Sequence, residues 1–434
     1  DLGLVDSLDA TGPYVYESEW SDEEVEVLEW AVDHYCITKE QAQLYGGILL
    51  TFLAGLDAAA NGTTAVRQEP PPTTTVAPTT TTVAPTTTLP PAVVPSTEAT
   101  SANERFFDLV RATETWNLGY TGAGSVVAII DGHGFDISHP DFAGNIVAEA
   151  CIADAGAEIL CPGGLELAEG EGASVNWPDN RHGTGVAGVV QQLAPDTGFV
   201  FIHISPGSGG GTNSTHQLAY DWVVDNTERY GIDVLVMSMG RSPNQRVDRD
   251  RGFEGSCGGH PAFGDFEADS DSKSIAAMRA LGVVPVFASG NSGHLNYMQA
   301  PACLEHSVSV GAVDEYGGIA DYSNVGEDLT FLAPSGLTAA TISENGDYEI
   351  FSGTSGAAPV VGALIAIGRQ IDPDATADEL IATARATGRS IDDYEVKDLR
   401  LVDFLAFSQT LAGLPVSPKK EITFDIDAVT SLMV

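Results

Sequence analysis

The chain has 434 residues, with 61 Asp+Glu against 19 Lys+Arg, a formal net charge of −42 and a pI near 4.2. Such a surface repels polyphosphate and anionic lipid, which argues against nucleic acid and acidic membrane as partners. With 43% hydrophobic and 8% aromatic residues, the chain can bury a core and is not disordered throughout. Five cysteines without a Cys-x-x-Cys pair argue against a structural zinc site and a disulfide scaffold. The longest apolar runs, 44–56 and 356–368, fall short of the roughly 18 residues a membrane span needs.

Residues 1 to about 60 hold 13 acids and one base, Lys39. Ser21-Asp22-Glu23-Glu24 reads as a capping box, followed by Val25, Leu28, Val32 and Tyr35 at helical spacing. Thr38-Lys39-Glu40-Gln41 opens a second helix carrying Tyr45, Ile48, Leu49, Phe52, Leu53 and Leu56. The expectation is an acidic helical segment over 1–66. A Thr/Pro-rich stretch follows over 67–100, in which Val76-Ala77-Pro78-Thr79 recurs as Val83-Ala84-Pro85-Thr86. Prolines at that density fix φ and remove donors, so the stretch predicts an extended, semi-rigid linker. The main domain is expected over 101–413, with a tail over 414–434. The sequence starts at Asp1 rather than Met, as a processed product or a fragment would.

Beyond residue 100, short β-branched apolar runs at 125–130, 199–204, 234–238, 283–288, 307–310 and 329–332 read as strands covered on both faces. Helical stretches at 184–193, 215–230, 272–281, 355–370 and 376–387 alternate with them. The alternation predicts an α/β fold with a mostly parallel central sheet and helices on both faces. Chemistry is then expected at the carboxyl ends of strands or the first turns of helices.

Three segments carry residues suited to such chemistry. Val126-Val127-Ala128-Ile129-Ile130-Asp131-Gly132-His133-Gly134 places an acid where an apolar strand ends. Arg181-His182-Gly183-Thr184-Gly185 places a histidine at the opening of a small-residue helix. Gly353-Thr354-Ser355-Gly356-Ala357-Ala358-Pro359 places a serine on a turn leading into another helix. Each has an ordinary structural reading, as a strand-end acid, a capping histidine or an N-cap serine. Together they supply what a serine nucleophile requires: a neutral imidazole to take its proton, and a carboxylate to hold the imidazole's tautomer.

In the order Asp, His, Ser, these blocks resemble those of the subtilisin-like serine proteases, the subtilases. A fourth block strengthens the likeness: Ala288-Ser289-Gly290-Asn291-Ser292-Gly293, with Pro301-Ala302 and Ser309-Val310-Gly311-Ala312-Val313-Asp314. The resemblance covers about two-thirds of the chain, from 115 to 411. It implies the subtilisin-like three-layer fold and a catalytic set of Asp131, His182 and Ser355, with Asn291 donating to the oxyanion. It also implies substrate-binding backbone at Ser238, Met239 and Gly240, and at Ala288, Ser289 and Gly290. Cys151 with Cys161, and Cys257 with Cys303, match positions paired in secreted members, which leaves Cys36 over.

Three departures stand out. Asp131 is followed by Gly132-His133-Gly134 where the family usually has Thr or Ser and then Gly. Gly185 stands where a second histidine is usual, and Gly356 where methionine usually follows the nucleophile, which is expected to open space beside Ser355. The calcium loop that often interrupts the helix after the histidine is not expected, because 185–194 runs straight into Pro195-Asp196; structural calcium elsewhere stays open. No metal ligand set is read from the spacing of His133, His139 and His182. The expectation is a secreted, monomeric serine endopeptidase acting on polypeptides without a cofactor. The alternative is a catalytically silent or latent subtilase fold serving as a binding or surface module.

Overall fold

The computed structural model describes residues 101–418, apart from 156, 158, 176–180, 205–212, 241–264, 296, 327, 342–346 and 392–397. The acidic segment over 1–66, the linker over 67–100, Cys36, Cys257 and the tail past 418 lie outside the described residues. The elements, in chain order, begin with helices α1 (Glu104–Val110) and α2 (Ala112–Trp116). Strands β1 (Val126–Asp131), β2 (Ile146–Ile152) and β3 (Leu167–Glu169) follow, then helix α3 (His182–Leu193). Next come β4 (Gly198–Ile204), α4 (Asn213–Tyr230), β5 (Val234–Met237), α5 (Asp265–Ala280), β6 (Val284–Ala288), β7 (Val308–Val313) and β8 (Phe331–Pro334). The hairpin β9 (Leu337–Ala340) and β10 (Tyr348–Phe351) leads into α6 (Thr354–Ile371) and α7 (Ala377–Thr387). Strands β11 (Arg389–Ile391) and β12 (Leu399–Leu401) and helix α8 (Phe404–Leu411) complete the set.

Among the described residues, ten strands form one sheet in the order β11-β12-β8-β7-β6-β5-β1-β4-β2-β3. The edge strands β3 and β11 pair antiparallel, and the strands between run parallel. All six apolar runs of the sequence become strands here, within a few residues of their expected ends. Successive residues of β1 show why such runs are uninterrupted. Val127 and Ile129 pack with α3 and α6 on one face, and Ala128 and Ile130 pack with residues of α4 and α5 on the other. This gives the three layers. Gly362 lets α6 lie directly on the sheet, since a Cβ there would come 2.5 Å from Val236 Cγ2.

The sequence pattern placed no strand at β2, because Glu149 breaks its apolar run. Glu149 is nonetheless buried, its carboxylate accepting from the Gly172 N–H, the Ser174 N–H and the Ser174 hydroxyl at 3.1, 3.2 and 2.7 Å. Enough donors make a buried acid tolerable inside a strand. Strand order sets the site. From β1 the chain winds outward to β2 and back to β4 beside β1, then crosses to β5 on its other flank. The winding reverses at β1, the place where open sheets of this kind form a crevice at the carboxyl ends of their strands.

Asp233 ties the foot of this arrangement together. Its Oδ2 accepts from the Val126 N–H at 3.0 Å at the start of β1, and Arg369 Nε of α6 lies 3.0 Å from its Oδ1. Burial pushes its pKa up to about 6, against the opposing effects of the Val126 N–H and Arg369. The folded state therefore binds this proton more tightly than the unfolded chain does. The resulting stabilisation is full below the ordinary Asp pKa near 3.9 and is lost as pH rises through about 6, an effect of at most ~3 kcal/mol. Asp233→Asn keeps an acceptor for Val126 and removes the titration. Urea unfolding of both proteins should show the variant gaining about 2–3 kcal/mol relative to wild type between pH 4 and pH 7. A difference independent of pH would refute the assignment.

Candidate active site

Asp131 ends β1 with no exposed surface, and His182 opens α3 across from it. His182 Nδ1 lies 2.6 Å from Asp131 Oδ2, and the His133 backbone N–H donates to Oδ1 at 2.9 Å. Burial alone would raise the Asp131 pKa, but the His182 charge and the hydrogen bonds from His133 and His182 outweigh it and hold the carboxyl below its ordinary range. An ionised carboxylate only accepts, so the shared proton sits on His182 Nδ1, and the neutral ring then carries its lone pair on Nε2. Burial likewise pulls the His182 pKa down, and the Asp131 charge and hydrogen bond more than reverse this. Gly183 permits the approach: a Cβ there would lie 2.4 Å from the Gly134 carbonyl oxygen and 3.0 Å from Asp131 Cβ.

Ser355 is the second residue of α6, whose first turn has backbone N–H groups without helical partners. Its hydroxyl donates to the Ser238 carbonyl at 3.0 Å, and the Ser238 hydroxyl donates to the Ser355 carbonyl at 2.9 Å. The Ser355 proton is thus held by the strand end after β5 and not by His182. Asn291 is exposed beside it, and its orientation follows from two donors on one oxygen: the Thr354 N–H at 2.8 Å and the Thr354 hydroxyl at 2.9 Å both reach Oδ1. The Nδ2 amide is left facing away from Thr354. Gly353, at φ 87°, makes the turn before Ser355, and a Cβ there would come 3.2 Å from Asn291 Nδ2.

The six expected substrate-contacting residues line two backbone segments beside Ser355. Ser238 and Met239 are buried and Gly240 is exposed beyond the end of β5. Met239 turns its side chain inward, its sulfur accepting from the Gly132 N–H. Ala288 ends β6, the Ser289 hydroxyl donates to the Asn324 carbonyl at 2.7 Å, and the Gly290 N–H donates to the Thr354 hydroxyl at 3.1 Å. Cys151 and Cys161 are disulfide-bonded as expected. Cys303 is disulfide-bonded, with its partner outside the described residues.

Several contributors were not read from the sequence. Asn324 organises the Asn291 loop, its Oδ1 accepting from the Ser292 and His294 N–H groups at 3.0 and 3.1 Å and its Nδ2 donating to the Ser289 carbonyl at 3.2 Å. Gln299 lies between the two substrate-side segments: its side chain would be 2.3 Å from a Cβ on Gly240 and 3.2 Å from one on Gly290. Two glycines on facing segments were the available signal. Phe351 of β10 fills the place left by Gly185, where a Cβ would lie 2.4 Å from the ring, and the same ring packs edge-on to His182 at 5.4 Å. The expectation of open space at Gly356 is overturned, because a Cβ there would meet the Phe351 carbonyl oxygen at 2.6 Å.

Asp131, His133 and His182 each offer one metal-ligating atom, all within 4.8 Å of one another, a grouping that the sequence spacing did not suggest. The helix after His182 is uninterrupted, and Asp141 accepts the Tyr348 hydroxyl on one oxygen at 2.5 Å. Among the described residues, no helix is long and apolar enough to cross a membrane.

The structure thus carries an acid at a strand end, an imidazole bound to it and a serine at a helix start. The Subtilase family model matches residues 122–399, and the chain belongs to that family as a subtilisin-like serine peptidase. It is 29% identical over 297 residues to subtilisin DY of Bacillus licheniformis, covering 66% of this chain and 91% of that one. It is 28% identical over 273 residues to alkaline elastase YaB of a Bacillus species, covering 61% of this chain and 59% of the relative. A solved protease from Pseudoalteromonas arctica shares the fold at a TM-score of 0.57 and 23% identity, over 71% of this chain and 99% of that one.

The Gly185–Phe351 contact yields a prediction. Gly185→Val should displace the Phe351 ring and disturb His182, lowering kcat against a peptide anilide at least tenfold. Gly185→Val in combination with Phe351→Ala should recover part of that loss, since the double change restores the volume. Equal kcat in wild type and Gly185→Val would show that the ring does not support His182.

Proposed function

We propose that this chain is a secreted serine endopeptidase that hydrolyses polypeptides through Ser355, His182 and Asp131, with the oxyanion held by the Asn291 side-chain amide and the Ser355 N–H. The observation that carries the reading is the 2.6 Å bond from His182 to the wholly buried Asp131 carboxylate, in a chain whose Ser355 opens α6 against the strand end after β5. A peptide entering the crevice displaces the Ser355 hydroxyl from the Ser238 carbonyl, and the side chain rotates toward His182 Nε2. His182 takes the proton as Oγ attacks the scissile carbonyl, and Asp131 stabilises the imidazolium without taking its proton. The negative oxygen is met by donors already fixed in place, one of them oriented by Thr354. His182 then protonates the leaving amine, and water repeats the sequence to free the acyl group. Secretion is supported by the Cys151–Cys161 bond, since such bonds persist in oxidising compartments.

Gln299 adds a substrate preference to this reading. With its side chain between Gly240 and Gly290, the recess beside Ser355 suits a small side chain on the acyl side of the cleaved bond.

Treatment of the folded chain with a fluorophosphonate, followed by peptide mapping, tests the chemistry. Ser355 should be the modified residue, and His182→Ala should slow its labelling by several orders of magnitude. A folded chain that leaves Ser355 unlabelled would instead be a silent binding module. For the preference, Gln299→Gly should raise kcat/KM for a Phe-bearing substrate relative to an Ala-bearing one by about tenfold or more. An unchanged ratio would remove Gln299 from the recess.

A further inference from the structure

We propose that Asp131, His133 and His182 form a zinc site, and that zinc bound there silences the peptidase. The starting observation is His133, which takes no part in the chemistry proposed above. Its Nδ1 is buried and lies 3.4 Å from Asp131 Oδ1, too far for a well-formed hydrogen bond. Its ring stands edge-on to that of His182, with centroids 5.4 Å apart. The Gly132-His133-Gly134 turn, with Gly134 at φ 66°, folds the imidazole back over the end of β1. A third imidazole adjoins the same carboxylate: His203 sits opposite Asp131 in β4, with a buried Nε2 that makes no hydrogen bond.

One ligand atom from each of Asp131, His133 and His182 falls within 4.8 Å of the other two. Zinc holds nitrogen and oxygen ligands at about 2.0–2.2 Å in a tetrahedron, which sets neighbouring ligand atoms roughly 3.3–3.6 Å apart. The 3.4 Å between His133 Nδ1 and Asp131 Oδ1 already has that value. Two imidazole nitrogens and a carboxylate oxygen suit zinc, while calcium and magnesium prefer all-oxygen sets. Three protein ligands leave the fourth position to water.

Occupancy and proton transfer exclude one another, on the reading of His182 as the base. Zinc on Nδ1 takes the lone pair there and shifts the ring's single N–H proton to Nε2. Zinc on Nε2 takes the lone pair directly. Either way Ser355 has no acceptor for its proton. His133 therefore places a reversible metal switch on the active-site pair, where the family more often has a small residue.

Two measurements test this. Zinc chloride is titrated calorimetrically into the metal-free Ser355→Ala chain, which cannot digest itself, with and without His133→Gln. One saturable site per chain is expected, with affinity at least tenfold weaker in the His133→Gln form. Peptide hydrolysis by the chain with native Ser355 is then followed in rising zinc, each protein relative to its own metal-free rate. Half-inhibition should need at least tenfold more zinc in His133→Gln, chelation with EDTA should restore activity, and magnesium at equal concentration should have no effect. His133→Ser repeats the series should the glutamine fold poorly. Equal zinc affinity with and without His133, or no saturable site, overturns the proposal while leaving Ser355 labelling unaffected. Zinc binding that depends on His133 but leaves hydrolysis intact also overturns the proposal, since the metal then does not engage His182.

Discussion

A fully buried carboxylate is the constraint around which the rest of the site is arranged. Asp131 has no exposed surface, and an ionised group in that position is tolerable only if donors replace the water it has lost. The replacements are the His133 backbone N–H and the ring of His182, at 2.9 and 2.6 Å. Supplying the second of these dictates local sequence. The helix carrying His182 must start against the turn after β1, and Gly183 is there because a Cβ would strike the Gly134 carbonyl. Sheet order does the remainder, since β1 is the strand at which the winding reverses and its end therefore opens into a crevice and not onto a neighbouring crossover. A buried acid, a small-residue helix start and a central strand are three expressions of one electrostatic requirement.

The departures from the usual subtilase pattern become intelligible as compensations in volume. Gly185 and Phe351 are far apart in sequence and meet as a cavity and its filler, and the filler also braces His182. At Gly356 the backbone of Phe351 takes the space, so a single residue of β10 accounts for two of the three glycine departures. The hairpin β9–β10 is thus part of the active-site wall. Arg181 and Glu349, paired at 2.5 Å, tie the same hairpin to the start of α3. A protein interior packed at near-crystalline density leaves little room for a residue change without a partner change, and here the partner is identifiable.

How much of this could be read beforehand depended on the range of the interactions. The central strands were legible because burial on both faces writes a continuous apolar run into the sequence, as in β1 and β6. Asp131, His182, Ser355 and Asn291 could be singled out as candidates because each sits in a short block whose neighbours are shaped by the same turn. Strand β2 was not, since Glu149 is accommodated by Gly172 and Ser174, more than twenty residues away. Gln299, Asn324 and Phe351 act on residues they reach only through the fold, and nothing local marks them. The open space expected at Gly356 failed for the same reason: a glycine reports that a side chain is missing, and only tertiary structure reports what has taken its place.

The resting position of Ser355 follows from the same economy of polar groups. Its hydroxyl and that of Ser238 exchange hydrogen bonds with each other's carbonyls, which satisfies both and fixes the first turn of α6 against the end of β5. A hydroxyl engaged in this way is not yet poised for proton transfer, while the imidazole is already held in its tautomer by Asp131. The two side chains are therefore held differently: the imidazole by a charge, and the serine by a neutral exchange that costs little to break. An extended peptide laid along residues 238–240 competes for the same carbonyl that holds Ser355. The strand end at which the family resemblance places the substrate is thus the same one that restrains the Ser355 hydroxyl.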